Sequence, residues 1–263
     1  MGLPTYLFSQ FTNIKDTIQL QGDSVVVTAT RSERKLSNVT VPVSIINSKT
    51  IQQIGALRLT DVLKEQPGLT LTSGFGAGVQ LQGLNPDYTI ILINGEPLVG
   101  RTAGVLDLNR VALGNIKKIE IVKGPSSSLY GSEAMAGVIN IITDGNSKIP
   151  LQTSLRYGTY KTIDAGVNQA ISSANMFYQA YYNYYSTDGY SIRPNSASRV
   201  TTPIQRVATH QQFKYNLSNN TSLLVGIRLS NEQIKNDISV TNGGTTIHSN
   251  GEEKNKDYNV SST

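Results

Sequence analysis

The sequence has no cysteine, no tryptophan and only 2 histidines among its 263 residues. Without cysteine, a disulfide scaffold and a cysteine-ligated metal site are both excluded. The two histidines, His210 and His248, lie in different segments, and a zinc site built on them is disfavoured because no cysteine can complete it. We therefore predict that the chain holds no resident metal and no cofactor.

Charged residues and long apolar runs are also scarce. Only 16% of the residues are charged, against about 25% in an average soluble domain, whereas about a third are Ser, Thr, Asn or Gln. No stretch approaches the roughly 18 consecutive apolar residues of a membrane-spanning helix. This excludes helical membrane proteins but leaves membrane β-barrels open, because their strands alternate and contain no long apolar run.

Catalytic and nucleic-acid-binding patterns are missing as well. The sequence contains no G-x-S-x-G elbow and no phosphate-binding loop, and the S-x-x-K match at residues 32–35 lacks its companion motifs. The net charge of +5 is spread thinly, whereas a nucleic-acid binder concentrates its basic residues on one face. Glu252, Glu253 and Asp257 alternate with lysines, which favours a solvated loop over a cation site. We predict neither an enzyme nor a nucleic-acid partner.

The remaining patterns divide the chain into two parts. Ten of the 13 tyrosines follow residue 150, and a turn-forming composition at residues 144–150 marks the boundary. The first part predicts an α+β unit with helices at 49–54 and 61–66, capped by Ser48 and Thr60. Its predicted strands are residues 41–46, 69–72, 79–82, 88–93, 116–122 and 137–143. The glycine-rich residues 74–78 and residues 94–104 are predicted to be long, flexible loops.

The second part alternates apolar and polar residues, which predicts antiparallel strands. The pattern is clearest at residues 151–159, 163–171 and 222–230. Its strands of about 9–12 residues match the roughly 9–11 of a tilted membrane-crossing strand, and tyrosines near the strand ends fit an interfacial girdle. We expect five clear strands and a sixth near residues 257–262. A soluble antiparallel sheet gives the same alternation, so alternation alone leaves both interpretations open.

A long motif closes the first part, where residues 115–143 read NIKKIEIVKGPSSSLYGSEAMAGVINIIT. It resembles the end of the plug domain of TonB-dependent outer-membrane receptors. Residues 79–84 and 88–98 resemble two earlier plug motifs, and residues 23–29 resemble the TonB box of the same family. The resemblance implies an α+β plug domain followed by antiparallel all-β strands of an incomplete transmembrane β-barrel.

The resemblance also implies domain boundaries. Residues 1–22 would be an N-terminal tail, whose short apolar patch fits either a frayed terminus or the remnant of a signal peptide. Residues 23–38 would be the TonB-box-like segment and linker, residues 39–145 the plug, and residues 150–263 the N-terminal part of the barrel. A plugged transporter has about 22 strands of roughly 10 residues each, so we expect a truncated receptor.

The sequence departs from the family pattern at several positions. Lys117 and Lys118 stand where arginine is common, and Gln82, Asn94 and Ala136 replace other family residues. Lysine cannot reproduce the bidentate geometry of arginine. These positions therefore give no support for specific ion pairs between the plug and the barrel, although they do not disturb the predicted fold.

By resemblance, the function is active import of a ferric siderophore, haem or cobalamin across the outer membrane of a Gram-negative cell. The implied partners are TonB with its inner-membrane energising complex, outer-membrane lipid, and a metal-chelate, corrinoid or haem ligand. TonB would add a strand to the segment Asp23, Ser24, Val25, Val26, Val27, Thr28 and Ala29. The ligand would contact plug loops at Phe75, Gly76, Glu96, Val99, Arg101 and Thr102. A non-transporting β-rich binding protein or adhesin and a passive porin are the alternatives.

Overall fold

The computed structural model describes residues 26–27, 34–35, 41–74, 76–98, 100–101, 105–125, 130–144, 149–190, 202–218, 221–242 and 245–262. Between residues 41 and 144 these form an α+β unit, here called the N-terminal unit. Residues 151–262 form a six-stranded antiparallel sheet, here called the strand sheet. Within the described ranges, no helix has the length and apolar character needed to cross a membrane.

The N-terminal unit is built on a five-stranded mixed sheet in the order β3-β8-β9-β6-β7. Its strands are β3 (Val43–Asn47), β6 (Thr89–Ile93), β7 (Glu96–Pro97), β8 (Ile116–Lys123) and β9 (Gly137–Thr143). Only β6 and β9 run parallel, and they occupy the interior of the sheet with β8. Every residue of β6 is buried, which confirms that its continuous apolar run belongs to a strand covered on both faces.

The Asn94-Gly95 turn between β6 and β7 has the predicted turn chemistry. Both residues adopt a left-handed backbone, with φ of 53° and 86°, which asparagine and glycine tolerate better than other residues. The Asn94 side chain also accepts a hydrogen bond from the backbone N–H of Thr143 at 2.9 Å. This bond ties the turn to the end of β9.

Two short helices lie against this sheet, and their starts differ from the predicted ones. Helix α1 (Ser48–Ile54) is capped by Asn47 rather than Ser48, because the Asn47 side chain accepts from the Thr50 N–H at 2.9 Å. Helix α2 (Leu59–Leu63) begins before Thr60, the predicted cap. The carboxylate of Asp61 accepts from the backbone N–H of Arg58 at 3.0 Å, so the first turn is stabilised from within.

A hairpin of β4 (Leu69–Gly74) and β5 (Gly76–Leu81) completes the unit. The predicted flexible loop at residues 74–78 is therefore wrong, since Gly74 and Gly76 are register partners in the hairpin. Gly78 serves close packing here, because a Cβ at this position would lie 2.9 Å from the Thr72 Oγ1 atom. The hairpin, helices and sheet enclose one main apolar core, which includes Leu59, Leu63, Val79, Leu108, Ile119, Ile121, Ile139 and Ile141.

The strand sheet joins each strand to its neighbour in sequence, from β10 to β15. Its strands are β10 (Leu151–Gly158), β11 (Thr162–Ser172), β12 (Met176–Thr187), β13 (Ile204–Ser218), β14 (Thr221–Asn242) and β15 (Thr245–Ser262). The sixth strand covers Thr245–Ser262 rather than only residues 257–262. The last three strands have 15, 22 and 18 residues, longer than predicted. The additional residues of β14 and β15 are mostly polar and lack clear alternation, but the two strands still pair as far as Asn242 and Thr245.

The two faces of the strand sheet have opposite character. The face turned away from the N-terminal unit is apolar and exposed, through Leu151, Leu155, Tyr157, Val167, Tyr182, Tyr184, Val207, Leu223, Leu229, Tyr258 and Val260. The face turned toward the N-terminal unit carries buried polar side chains, namely Asp164, Asn168, Gln179, Asn183, Arg206 and Glu232. A soluble sheet would bury its apolar face and expose its polar face. In this sheet the apolar face is exposed and the polar face is buried.

Candidate functional site

Polar contacts between the N-terminal unit and the strand sheet form the candidate site. The first contact joins Arg58, at the start of α2, to Asp164 of β11, with 2.6 Å between Nη2 and Oδ2. Both residues are buried. Asn183 donates to the other Asp164 carboxylate oxygen at 2.9 Å, and the Arg58 guanidinium lies 4.7 Å from the centre of the Tyr185 ring.

The surroundings of Arg58 compensate for the burial of its charge. Burial lowers the pKa of the Arg58 guanidinium, and the nearby carboxylate of Asp164 offsets only part of this lowering. A buried ion pair of this kind is stable only when additional hydrogen bonds satisfy both partners. Asn183 and the aromatic face of Tyr185 supply those additional contacts.

A second cluster is centred on Glu232 of β14, which is 1% exposed. Arg206 of β13, its cross-strand partner, donates through Nε and Nη2 to the Glu232 Oε2 atom. Arg110 of the N-terminal unit donates to the Glu232 Oε1 atom at 3.0 Å and also pairs with Asp257 of β15 at 3.4 Å. Glu232 therefore bridges one arginine of the strand sheet and one arginine of the N-terminal unit.

The short 3₁₀-helix Leu108–Arg110 positions the N-terminal unit's side of this cluster. Asp107 caps it by accepting from the Asn109 N–H at 3.1 Å. The Asn109 carbonyl in turn accepts a hydrogen bond from Arg206. One turn of helix therefore presents both a cation and a carbonyl to the charged pair on the strand sheet.

These ion pairs correct one expectation from the sequence and agree with another. Asp257 belongs to β15 and contacts Arg110, so the solvated loop predicted there is wrong at this residue. Lys118 pairs instead with Glu120 of its own strand at 2.7 Å, inside the N-terminal unit. The contacts to the strand sheet come from arginines that the sequence motifs did not single out.

The predicted ligand residues have different surroundings. Glu96, at the start of β7, lines a small cavity together with Arg228 of the strand sheet. Arg101 donates to the carbonyls of Pro86 and Thr89, at 3.4 and 3.2 Å, and so ties its loop to the N-terminal unit. Gly76 opens β5. The other three, Phe75, Val99 and Thr102, lie outside the described residues.

The loop between β7 and Arg101 also approaches the ion-pair cluster. Gly100 has a φ of 102° and lies so close to Asp257 that a Cβ would be 2.8 Å from its Oδ1 atom. Asp257 contacts Arg110, as described above. The loop that carries the predicted ligand residues therefore lies next to Asp257, which in turn contacts Arg110 of the charged cluster.

The predicted TonB-binding segment is described only at Val26 and Val27. These two residues form β1, which pairs antiparallel with β2 (Arg34–Lys35). An extended backbone at Val26 and Val27 agrees with the predicted strand. Asp23, Ser24, Val25, Thr28 and Ala29 lie outside the described residues.

Comparison with known proteins identifies the class. Residues 35–138 match the family model described as TonB-dependent Receptor Plug Domain. The N-terminal unit is therefore a plug domain of the class found in TonB-dependent receptors. The resemblance stated from the sequence and the predicted fold class, a plug followed by antiparallel strands, are confirmed.

Among particular relatives, the chain is 38% identical over 125 residues to the vitamin B12 transporter BtuB of Vibrio vulnificus (strain CMCP6), covering 46% of this chain and 20% of that protein. It is 32% identical over 179 residues to BtuB of Vibrio cholerae serotype O1 (strain M66-2), covering 65% of this chain. The chain spans 29% of the length of that second relative.

Solved structures share the fold at lower identity. A mutant of the ferric enterobactin receptor PfeA from Pseudomonas aeruginosa gives a TM-score of 0.63 at 21% identity, covering 90% of this chain and 40% of that one. The FpvAI–pyocin S2 complex gives 0.65 at 15% identity, covering 80% of this chain and 27% of that one. At these identities the similarity concerns the fold alone.

Proposed function

We propose that the chain forms the plug and adjoining strands of an active importer, which admits a scarce nutrient through the outer membrane of a Gram-negative cell. The observation that carries the proposal is the polarity of the strand sheet. Its apolar face is exposed, and its polar face holds the plug through buried ion pairs. Lipid would cover the first face, and a water-accessible interior would contain the second.

The proposed ligand is a corrinoid first, with ferric siderophores and haem as the other candidates. The relatives at 32–38% identity are named vitamin B12 transporters, whereas the siderophore receptors share only the fold. Contact with ligand at Phe75, Gly76, Glu96, Val99, Arg101 and Thr102 is part of this proposal. Because Gly100 lies close to Asp257, a ligand seated on this loop would also disturb the Arg110 contacts.

Energy for transport would come from TonB, which captures the segment from Asp23 to Ala29. An extended segment is recognised by strand addition, in which main-chain hydrogen bonds supply the affinity. The extended backbone of Val26 and Val27 is compatible with that mode. Tension on this segment would then have to break the plug's contacts with the strand sheet before a path opens.

Uptake measurements test the proposal. The gene that encodes this chain is expressed in a Gram-negative host lacking its own vitamin B12 transporter, with and without a working TonB. We expect accumulation of radiolabelled cyanocobalamin only with TonB, and less or none of a ferric siderophore or haem. Uptake that persists without TonB would support the passive porin. Binding without any uptake would support the non-transporting binding protein.

A further inference from the structure

Tyr181 of β12 fills a gap between the plug and the strand sheet. It lies on the polar face, between Asn168 of β11 and His210 of β13, and is 7% exposed. Its hydroxyl lies against Gly114, in the plug loop before β8. The phenol ring therefore crosses the whole interface from strand to plug.

Two glycines leave space for this ring. A Cβ at Gly166 of β11 would lie 3.3 Å from the Tyr181 hydroxyl oxygen, and a Cβ at Gly114 of the plug would overlap the ring. Gly114 and Gly166 belong to different units of the protein. The space is thus shaped by both partners around one aromatic side chain, which is large and rigid.

Tyr181 also lines two cavities of the interface. One, of about 110 Å³, lies against β13–β15 and has an apolar plug wall of Ile93, Leu98, Leu106 and Ile141. The other, of about 400 Å³, lies against β10 and β11 and is lined by polar residues such as Gln152, Ser154 and Asn168. Among the described residues, Tyr181 is the one that lines both cavities.

We propose that Tyr181 is the partition that keeps these cavities separate and closes the plug–strand interface to small solutes. Truncating a buried aromatic leaves a cavity that its surroundings fill only partly. Without the ring, the polar cavity would open into the apolar one along the wall of the plug. The ion pairs of Arg58 and Arg110 would still hold the plug in place. Tyr181 therefore blocks the passage of small solutes and takes no part in ligand recognition.

Cysteine labelling tests this directly, because the sequence has no cysteine. Ala208→Cys places a small thiol in the wall of the apolar cavity, and its reaction with a maleimide is followed in detergent micelles. We expect Tyr181→Ala to raise the reaction rate at this position about tenfold, equivalent to about 1.4 kcal/mol in the free energy of access. Tyr181→Phe, which retains the ring, should leave the rate close to that of the reporter alone.

The neighbouring Tyr182 offers a matched control. It lies on the apolar outer face, 44% exposed, so Tyr182→Ala should not change the labelling rate. An unchanged rate in folded Tyr181→Ala, or an equal increase in Tyr182→Ala, would overturn the proposal. Tyr181→Leu gives the same comparison with less loss of volume, should the alanine variant fail to fold.

Chemical rescue distinguishes the loss of the Tyr181 ring from a general loosening of the interface between the plug and the strand sheet. Added p-cresol matches the lost side chain and should return the labelling rate of Tyr181→Ala toward the original value, as an apolar guest fills an engineered cavity. A rate that p-cresol leaves unchanged would contradict a partition. Neither measurement uses TonB or a transported ligand, so its failure is distinguishable from failure of the proposed import function.

Discussion

At the scale of the residue, Glu232 is a buried charge through which the strand sheet holds the plug. It is buried and is shared by Arg206 and Arg110. Glu232→Gln would remove the buried anion that Arg206 and Arg110 share and would leave Arg110 only its 3.4 Å contact with Asp257. We therefore expect the free energy of unfolding to fall by about 3–5 kcal/mol. Denaturant titration in micelles, followed by circular dichroism, measures this loss.

Glu252→Gln is the control for that measurement. Glu252 lies on the same hairpin and pairs with Lys254 at 3.1 Å, but its side chain is 45% exposed. An exposed pair contributes about 0–1 kcal/mol. Equal effects of the two substitutions would show that burial of Glu232 has no energetic consequence.

The Arg58–Asp164 pair allows a stricter test, because both partners are buried and the bond links the plug to β11. Asp164→Asn alone should cost about 3–5 kcal/mol, since it leaves a buried cation without its anion. The double variant Arg58→Met with Asp164→Leu should recover much of that loss, because apolar side chains remove the desolvation penalty. In the double-mutant cycle formed by Arg58→Met, Asp164→Leu and their combination, strictly additive losses would argue against direct coupling.

The ion pairs between the plug and the strand sheet could not be predicted from the sequence. Arg58 and Asp164 are 106 positions apart, and Arg110 and Glu232 are 122 apart. No local period or motif connects positions so distant, and each arginine alone resembles an ordinary surface residue. The one available signal was the charge on the polar face of the strands. Arg206 and Glu232 both occupy that face and are register partners, but a bulge between Asn216 and Ser218 shifts the pairing near the turn.

At the scale of the element, the apolar alternation of the strands predicted their positions well. β10 and β11 fall where the pattern was strongest, and the plug strands β8 and β9 agree closely with prediction. The helix starts and the ends of β14 and β15 did not follow from the pattern. Helix starts are decided by single side-chain bonds, such as that of Asn47. The ends of long hairpins are held by backbone pairing between polar residues, which leaves no periodic signal.

The apolar outer face of these strands predicts that they contact lipid. Leu229→Lys places a charge on that face, and in a lipid bilayer we expect a loss of stability of about 2–4 kcal/mol. On a soluble protein the same exposed position would change stability by no more than about 0.5 kcal/mol. Reversible unfolding from lipid vesicles measures the difference. Asn231→Lys, on the same face two residues along and already polar, is the control, and equal small effects would contradict lipid contact.

At the scale of the whole molecule, the distribution of polarity explains the composition. Neutral polar residues such as Asn168, Gln179 and Asn183 fill the face toward the plug. The plug keeps an ordinary apolar core of its own. A domain with its own core can be held in place by a limited number of polar contacts and released as a body. The ion pairs of Arg58 and Arg110 join the plug to the strand sheet, and the segment that TonB is proposed to capture precedes the plug in the sequence.

That preceding segment carries the last prediction, which concerns how force reaches the plug. Val26→Pro removes a main-chain N–H donor from the strand that TonB is proposed to capture, and strand addition depends on such donors. We expect TonB-dependent uptake to be lost while binding of ligand to whole cells is retained, because the substitution lies outside the plug's ion pairs. Val26→Ile keeps the donor and the β-branched side chain, so its uptake should be normal. Full uptake by the proline variant would contradict capture at this position, and loss of binding together with uptake would indicate a folding defect instead.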